Sequence, residues 1–190
     1  MIEEEEVRLR SVLESGRLDQ VAGVLDDIEI QSQDPQPLLN WPHALHLLAH
    51  AYNLNLEEGR FLWKRIPESV KQGNTELQSA FRVLGVLWNR QYECYWPALS
   101  GHQWSPDVKA LVDELTIRLR NRVVDLVCHA YSTIFVAKFA GFVGLTEKQA
   151  IARAQEAGWE LLRDKKTLKV KRPAPSAMAR DGFKNLQQLT

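Results

Sequence analysis

The sequence predicts a mainly α-helical chain, in which helix pairs stack first and a small unit of helices and short antiparallel strands follows. Three observations carry this. Apolar residues recur at spacings of three and four through most of the chain. Asparagine, proline and glycine cut that pattern into short helices. In the last third "YSTIFV" and "TLKVK" switch to β-branched residues and alternation, the period of a strand.

Taken in order, "EEEEVRLRSVLES" sets Val7, Leu9 and Val12 among charges, with Glu3 to Glu6 at a helix N-terminus where the macrodipole favours carboxylates. Gly16 ends it. "LDQVAGVLDDIEI" repeats the pattern from Leu18 through Val21, Leu25 and Ile28, and "QSQDPQP" is a polar loop. In "NWPHALHLLAHAYN", Asn40 and Pro42 start a helix that carries Leu45, Leu48 and Tyr52 on one face. "LEEGRFLWKR" follows. Its Gly59, Leu62, Trp63 and Ile66 share a face, Phe61 points to a second flank that is expected to pack, and Pro67 ends the helix. Asn74 caps "NTELQSAFRVLGVLW", with Leu77, Phe81, Leu84 and Trp88 as its stripe. "YECYWPAL" is a shorter helix limited by Pro97.

Ala44, Leu47, Leu48 and Ala51 recur at an offset of 37 as Phe81, Leu84, Gly85 and Trp88, and Leu62 recurs as Leu99. Small and large apolar residues at such an offset predict a short TPR/HEAT-like helical repeat stack over residues 1–104. Ser105 and Pro106 then open a long helix, bent or broken into two, whose apolar positions run from Leu111 to Val127. After it come the strand "YSTIFV", the helix "AKFAGFVGL", a helix opened by the capping box of Thr146 and Gln149, and the strands "WELL" and "TLKVK". Helix, strand, helix, helix, strand, strand is the order of a winged-helix subdomain, placed with its connecting helix at 105–172. Residues 173–190 read as a flexible linker, "RPAPSAMARDG", and the start of a further helix, "FKNLQQLT".

The totals exclude several classes. Lys and Arg number 24, as do Asp and Glu, so no whole-chain field attracts nucleic acid or anionic lipid. Cys94 and Cys128 lack metal or disulfide spacing. No apolar run approaches the about 20 residues of a membrane span, and the acidic N-terminus is unlike a secretory signal. A soluble intracellular protein is expected.

"RFLWKRIP", "GVLWNRQY", "HQWSPDVK", "HAYSTI", "FAGFVGLTEKQA" and "GWE" stand in an order that closely resembles the PCI-domain family. That family has members in the proteasome lid, the COP9 signalosome and a translation initiation factor. The resemblance covers residues 41–172 and is strongest to the small-subunit branch found in the signalosome. It implies a non-catalytic scaffold, in nucleus and cytoplasm, of the complex that deneddylates cullins and so regulates cullin-RING ubiquitin ligases. The isopeptidase belongs to another, zinc-bearing subunit. It also implies PCI partners, foremost the third signalosome subunit, which meet through winged-helix edges and a C-terminal helix bundle. Family members continue past "QQLT", so the bundle helix carrying Leu186 and Leu189 is expected to be cut short.

His43, His46 and His50 sit at i, i+3 and i+7 of one helix, a spacing that can bind zinc. No acidic residue lies within that helix, and neither HExxH nor His-x-His occurs, so helix-packing histidines are expected and no metal. Cys128 and His129 are adjacent and point about 100° apart on a helix, which makes no nucleophile–base pair. No phosphate loop or nucleophile elbow is present. No enzyme and no cofactor are predicted.

The helix preceding the wing, with Lys148, Gln149, Arg153, Gln155, Glu156 and Glu147, is close to neutral and poor at countering phosphates. The wing is basic: Arg163, Lys165, Lys166, Lys169, Lys171 and Arg172 against Asp164. A docking edge that steers an acidic protein partner ranks first, a lysine-protected solvated edge second, and nucleic acid third. Arg60 and Lys64, answered only by Glu57, form a possible secondary contact. The alternatives are a nucleic-acid-binding winged-helix protein and a PCI subunit of the proteasome lid or the initiation factor.

Overall fold

The computed structural model describes residues 2–31 and 41–171, with the side chains of 2–6 left undescribed. The chain divides into two compact units between Asn121 and Arg122. The division falls inside a helix, whereas the sequence placed the boundary at that helix's start. Leu186, Leu189 and Arg172 lie outside the described residues.

The first unit is helical. Helices α1 (Ile2–Glu14) and α2 (Val21–Gln31) pack together, separated by a 3-10 turn at Leu18–Gln20. Gly16 ends α1 with φ +68°, a conformation that costs a glycine little. Leu18, expected to open the second helix, sits buried in that turn instead. Next come α3 (His43–Asn53), α4 (Leu56–Arg65), the short α5 (Glu68–Gly73), α6 (Thr75–Trp88) and α7 (Tyr92–Ser100). The pairs α3–α4 and α6–α7 pack internally, and α3 packs on α6. These are the two units of the 37-residue offset. Leu47 and Leu48 of the first, and Leu84 of the second, are almost wholly buried, as are the matched Leu62 and Leu99.

Helix α4 shows how closely the helices approach. A Cβ on Gly59 would come within 2.9 Å of Leu84 Cδ1 and 3.6 Å of His50 Cβ, so glycine is what lets α4 lie against α3 and α6. Leu62 and Ile66 are buried, and Trp63 stacks flat on Phe81, with ring centroids 3.9 Å apart. Ile66 is extended, at ψ 131°, as a residue before proline must be. Two expectations fail here. Phe61 is 53% exposed rather than packed on a second flank, and Trp88 is 40% exposed at the end of its stripe. The α6 stripe buries Leu77, Ala80, Val83, Leu84 and Leu87, which turns Trp88 outward.

Helix α8 (Pro106–Ala130) is one continuous α-helix rather than a broken one. Its start is fixed from outside, because Glu76 of α6 accepts hydrogen bonds from the backbone N–H (2.6 Å) and hydroxyl (3.2 Å) of Ser105. The second unit continues with β1 (Thr133–Phe135), α9 (Val136–Val143), α10 (Glu147–Glu156), β2 (Glu160–Leu161) and β3 (Thr167–Lys169), the predicted winged-helix order. The capping box forms in full, with Thr146 accepting from the Gln149 backbone while Gln149 accepts from that of Thr146. Phe139, Ile134, Ala150, Ala154, Trp159 and Leu168 make the core, with the Phe139 and Trp159 rings 4.8 Å apart.

Candidate protein-docking site

The sheet order is β1-β3-β2, antiparallel throughout. Strand β3 is therefore the middle strand, which corrects the reading of Lys169 and Lys171 as residues of an exposed edge strand. Local pattern identifies a strand but not its place in the sheet, and "TLKVK" alternates as well in the centre as at the rim. Lys169 extends from β3 beside β2 and reaches Glu160 at 3.4 Å, a carboxylate that the sequence reading had not set against the wing. The free edges belong to β1 and β2.

The β1 edge has a definite chemistry. Ser132 O accepts from Val170 N–H and Val136 N–H donates to Lys166 O, so these backbone groups face β3. By strand alternation, the N–H and C=O of Thr133 and the N–H of Phe135 face away from it, while the Phe135 C=O, at the N-cap of α9, accepts the first bond of that helix. The Phe135 side chain beside them is 65% exposed, while Ile134 between is buried. The sequence pointed to the lysines and missed Phe135. An aromatic in a three-residue strand reads as core until the strand order is known.

At the wing tip, Arg163, Lys165 and Lys166 are exposed as expected. Asp164 does not oppose them as a free charge. It accepts from the hydroxyl of Thr167 (2.6 Å) and from the backbone N–H groups of Lys166 and Thr167 (both 3.0 Å), and these bonds hold its carboxyl below the usual range. That turn sets Lys165 at φ +56° and throws it outward. On α10, Glu147, Lys148, Gln149, Gln155 and Glu156 are exposed, and Arg153 pairs with Glu156 at 3.3 Å. Two acids thus face two bases on the helix that a DNA-binding winged helix would use.

In the first unit the histidines acquire a partner that the sequence did not suggest. Asp26 of α2 brings one oxygen, Oδ1, to 3.0 Å from His46 Nε2 and 3.3 Å from His50 Nε2. The ligand atoms of the trio lie within 4.8 Å of one another, close enough for a metal ion, whereas His43 is not among them. The outer contacts fit a different use. A histidine ligating through Nε2 carries its proton on Nδ1 and needs an acceptor there. At His46 that nitrogen faces a donor, the Trp41 indole N–H at 3.2 Å. His50 Nδ1 is buried with no partner among the described residues. The arrangement suits one carboxylate receiving two imidazole N–H groups. Burial, then the neighbouring His50, pushes the His46 pKa down to about 4 against the pull of Asp26. This is a clasp between α2 and α3. Nearby, Arg65 grips Glu29 of α2 through two bonds, 3.1 and 2.8 Å.

Burial also raises the thiol pKa of Cys128, opposite to what a nucleophile needs, and His129 is engaged with the Asp125 carbonyl at 2.7 Å. Among the described residues no helix is long and apolar enough to cross a membrane.

A stack of paired helices followed in the chain by a winged helix is the arrangement of the PCI class of proteins. The chain belongs to the CSN8/PSMD8/EIF3K family, which its residues 37–177 match. It is 30% identical over 184 residues to COP9 signalosome complex subunit 8 of Arabidopsis thaliana, covering 96% of this chain and 93% of that one. The proteins of the same name from Xenopus laevis and Danio rerio are 32% and 28% identical. Those alignments cover 62% and 68% of this chain, and 58% and 68% of theirs.

Proposed function

We propose that this chain is a non-catalytic scaffold subunit of the COP9 signalosome, acting in nucleus and cytoplasm in the complex that removes the ubiquitin-like modifier from cullins. The supporting observation is the near full-length similarity to the Arabidopsis signalosome subunit. In this reading the chain joins a neighbouring PCI subunit, the third, through the winged-helix sheet. The outward backbone groups of β1 supply strand pairing, Phe135 supplies buried area, and Arg163, Lys165, Lys166, Lys169 and Lys171 steer the approach. Leu186 and Leu189 belong to the segment proposed to join a helix bundle. The even charge of α10 argues against duplex binding as the main task.

The test is assembly of variants with the third subunit, followed by size exclusion. Thr133→Pro, which removes one edge donor, is expected to abolish co-elution. Lys169→Glu with Lys171→Glu is expected to weaken it while the isolated chain stays folded. Unaltered assembly in both, with nucleic-acid retention lost instead, contradicts the docking reading.

A further inference from the structure

The outer face of α4, with the end of α6 beside it, presents two cations and two partly exposed aromatic rings. The Arg60 guanidinium lies 4.2 Å from the centroid of the Trp88 ring, at the end of α6. One turn on, Lys64 Nζ lies 5.6 Å from the Phe61 centroid. Trp88 and Phe61 are 40% and 53% exposed. Among the described residues no carboxylate comes within 4.0 Å of Arg60 or Lys64, in contrast to Arg65 on the same helix, which Glu29 holds on two sides.

A guanidinium over an indole ring still carries N–H donors along its edge, and that edge matches a carboxylate. Tryptophan and arginine are both enriched among the residues that carry most of the binding energy at protein interfaces. Trp88 also lines an open depression of about 680 Å³, together with Glu57 and Glu58. Those acids disfavour a carboxylate in the depression, whose lining includes neither Arg60 nor Lys64.

We infer that this face is a docking site for an acidic, apolar-flanked segment of a partner protein, bound in extended form across Arg60 and Lys64. Residues four apart on a helix rise about 6 Å, and alternate residues of an extended chain repeat at about 6.6 Å. Carboxylates at alternate positions therefore meet Arg60 and Lys64 together. Apolar residues at the next alternate positions then lie against Trp88 and Phe61. The site is independent of the winged-helix edge.

The test uses the full chain and a fluorescein-labelled peptide with two glutamates at alternate positions, leucine and phenylalanine two residues beyond them, and serine elsewhere. Fluorescence anisotropy is expected to show saturable binding below about 1 mM, weakening several-fold as salt rises from about 0.05 to 0.5 M. Arg60→Glu with Lys64→Glu is expected to weaken it at least tenfold. Phe61→Ser, at an exposed position, is expected to weaken it about threefold with circular dichroism unchanged, which keeps the test valid if Trp88→Ala fails to fold. Lys169→Glu with Lys171→Glu should leave it unaltered. No binding to the wild-type chain, equal binding of a lysine-for-glutamate peptide, or full binding by the doubly reversed variant overturns the proposal.

Discussion

His46 is held neutral by geometry before any burial is considered. Trp41 donates to its Nδ1 and Asp26 accepts from its Nε2, so a second ring proton would set two donors face to face. The titratable groups around it are His50, Asp26 and Glu29. With the folded pKa near 4 and the unfolded value at 6.5, the unfolded chain binds the extra proton between those values. The stability that this provides is present in full above pH 6.5 and is lost as the pH falls toward 4, by roughly 2–4 kcal/mol. Ring NMR is expected to give a His46 midpoint near 4, and a midpoint near 6.5 contradicts the clasp. Gly59 is the other telling residue. Gly59→Val would push two methyl groups into the space of Leu84 and is expected to cost about 1–3 kcal/mol in urea unfolding. The sequence places Gly59 on the packed face of its helix, but the reason it is glycine, the approach of Leu84 and His50 from two other helices, is visible only in the structure. The sequence does not show Asp26 as the histidines' partner, because that contact joins α2 to α3 between residues 20 apart in sequence and leaves no local pattern.

Elements with their own start and stop signals were legible. Asn74 accepts from Leu77 N–H at 2.9 Å, and the Thr146–Gln149 box closes as its spacing indicates. Thr146→Ala is expected to cost about 1 kcal/mol, measured as a fall in urea midpoint with unchanged slope. Helix α5 went unread because "ESVKQG" is short and polar and buries nothing. The exposure of Phe61 and Trp88 was hidden for a related reason. A 100° wheel finds an apolar face, but it does not say whether a second helix arrives to cover it.

For the whole molecule, the winged-helix order and the repeat offset were readable because each element announces itself in sequence. The strand order was not, and it moved the candidate edge from the lysines of β3 to Thr133 and Phe135 of β1. The division into compact units falls at Asn121, inside the unbroken α8, where no local sequence signal marks it. The chain belongs to the family of the signalosome's eighth subunit, and assembly is where the proposed role is most exposed. The direct measurement is size exclusion of the full chain mixed with the third signalosome subunit at physiological salt. The expected result is a single co-eluting peak containing both proteins, lost with Thr133→Pro. Separate elution of the two wild-type chains, with salt-sensitive retention of this chain on duplex DNA or RNA, would contradict it.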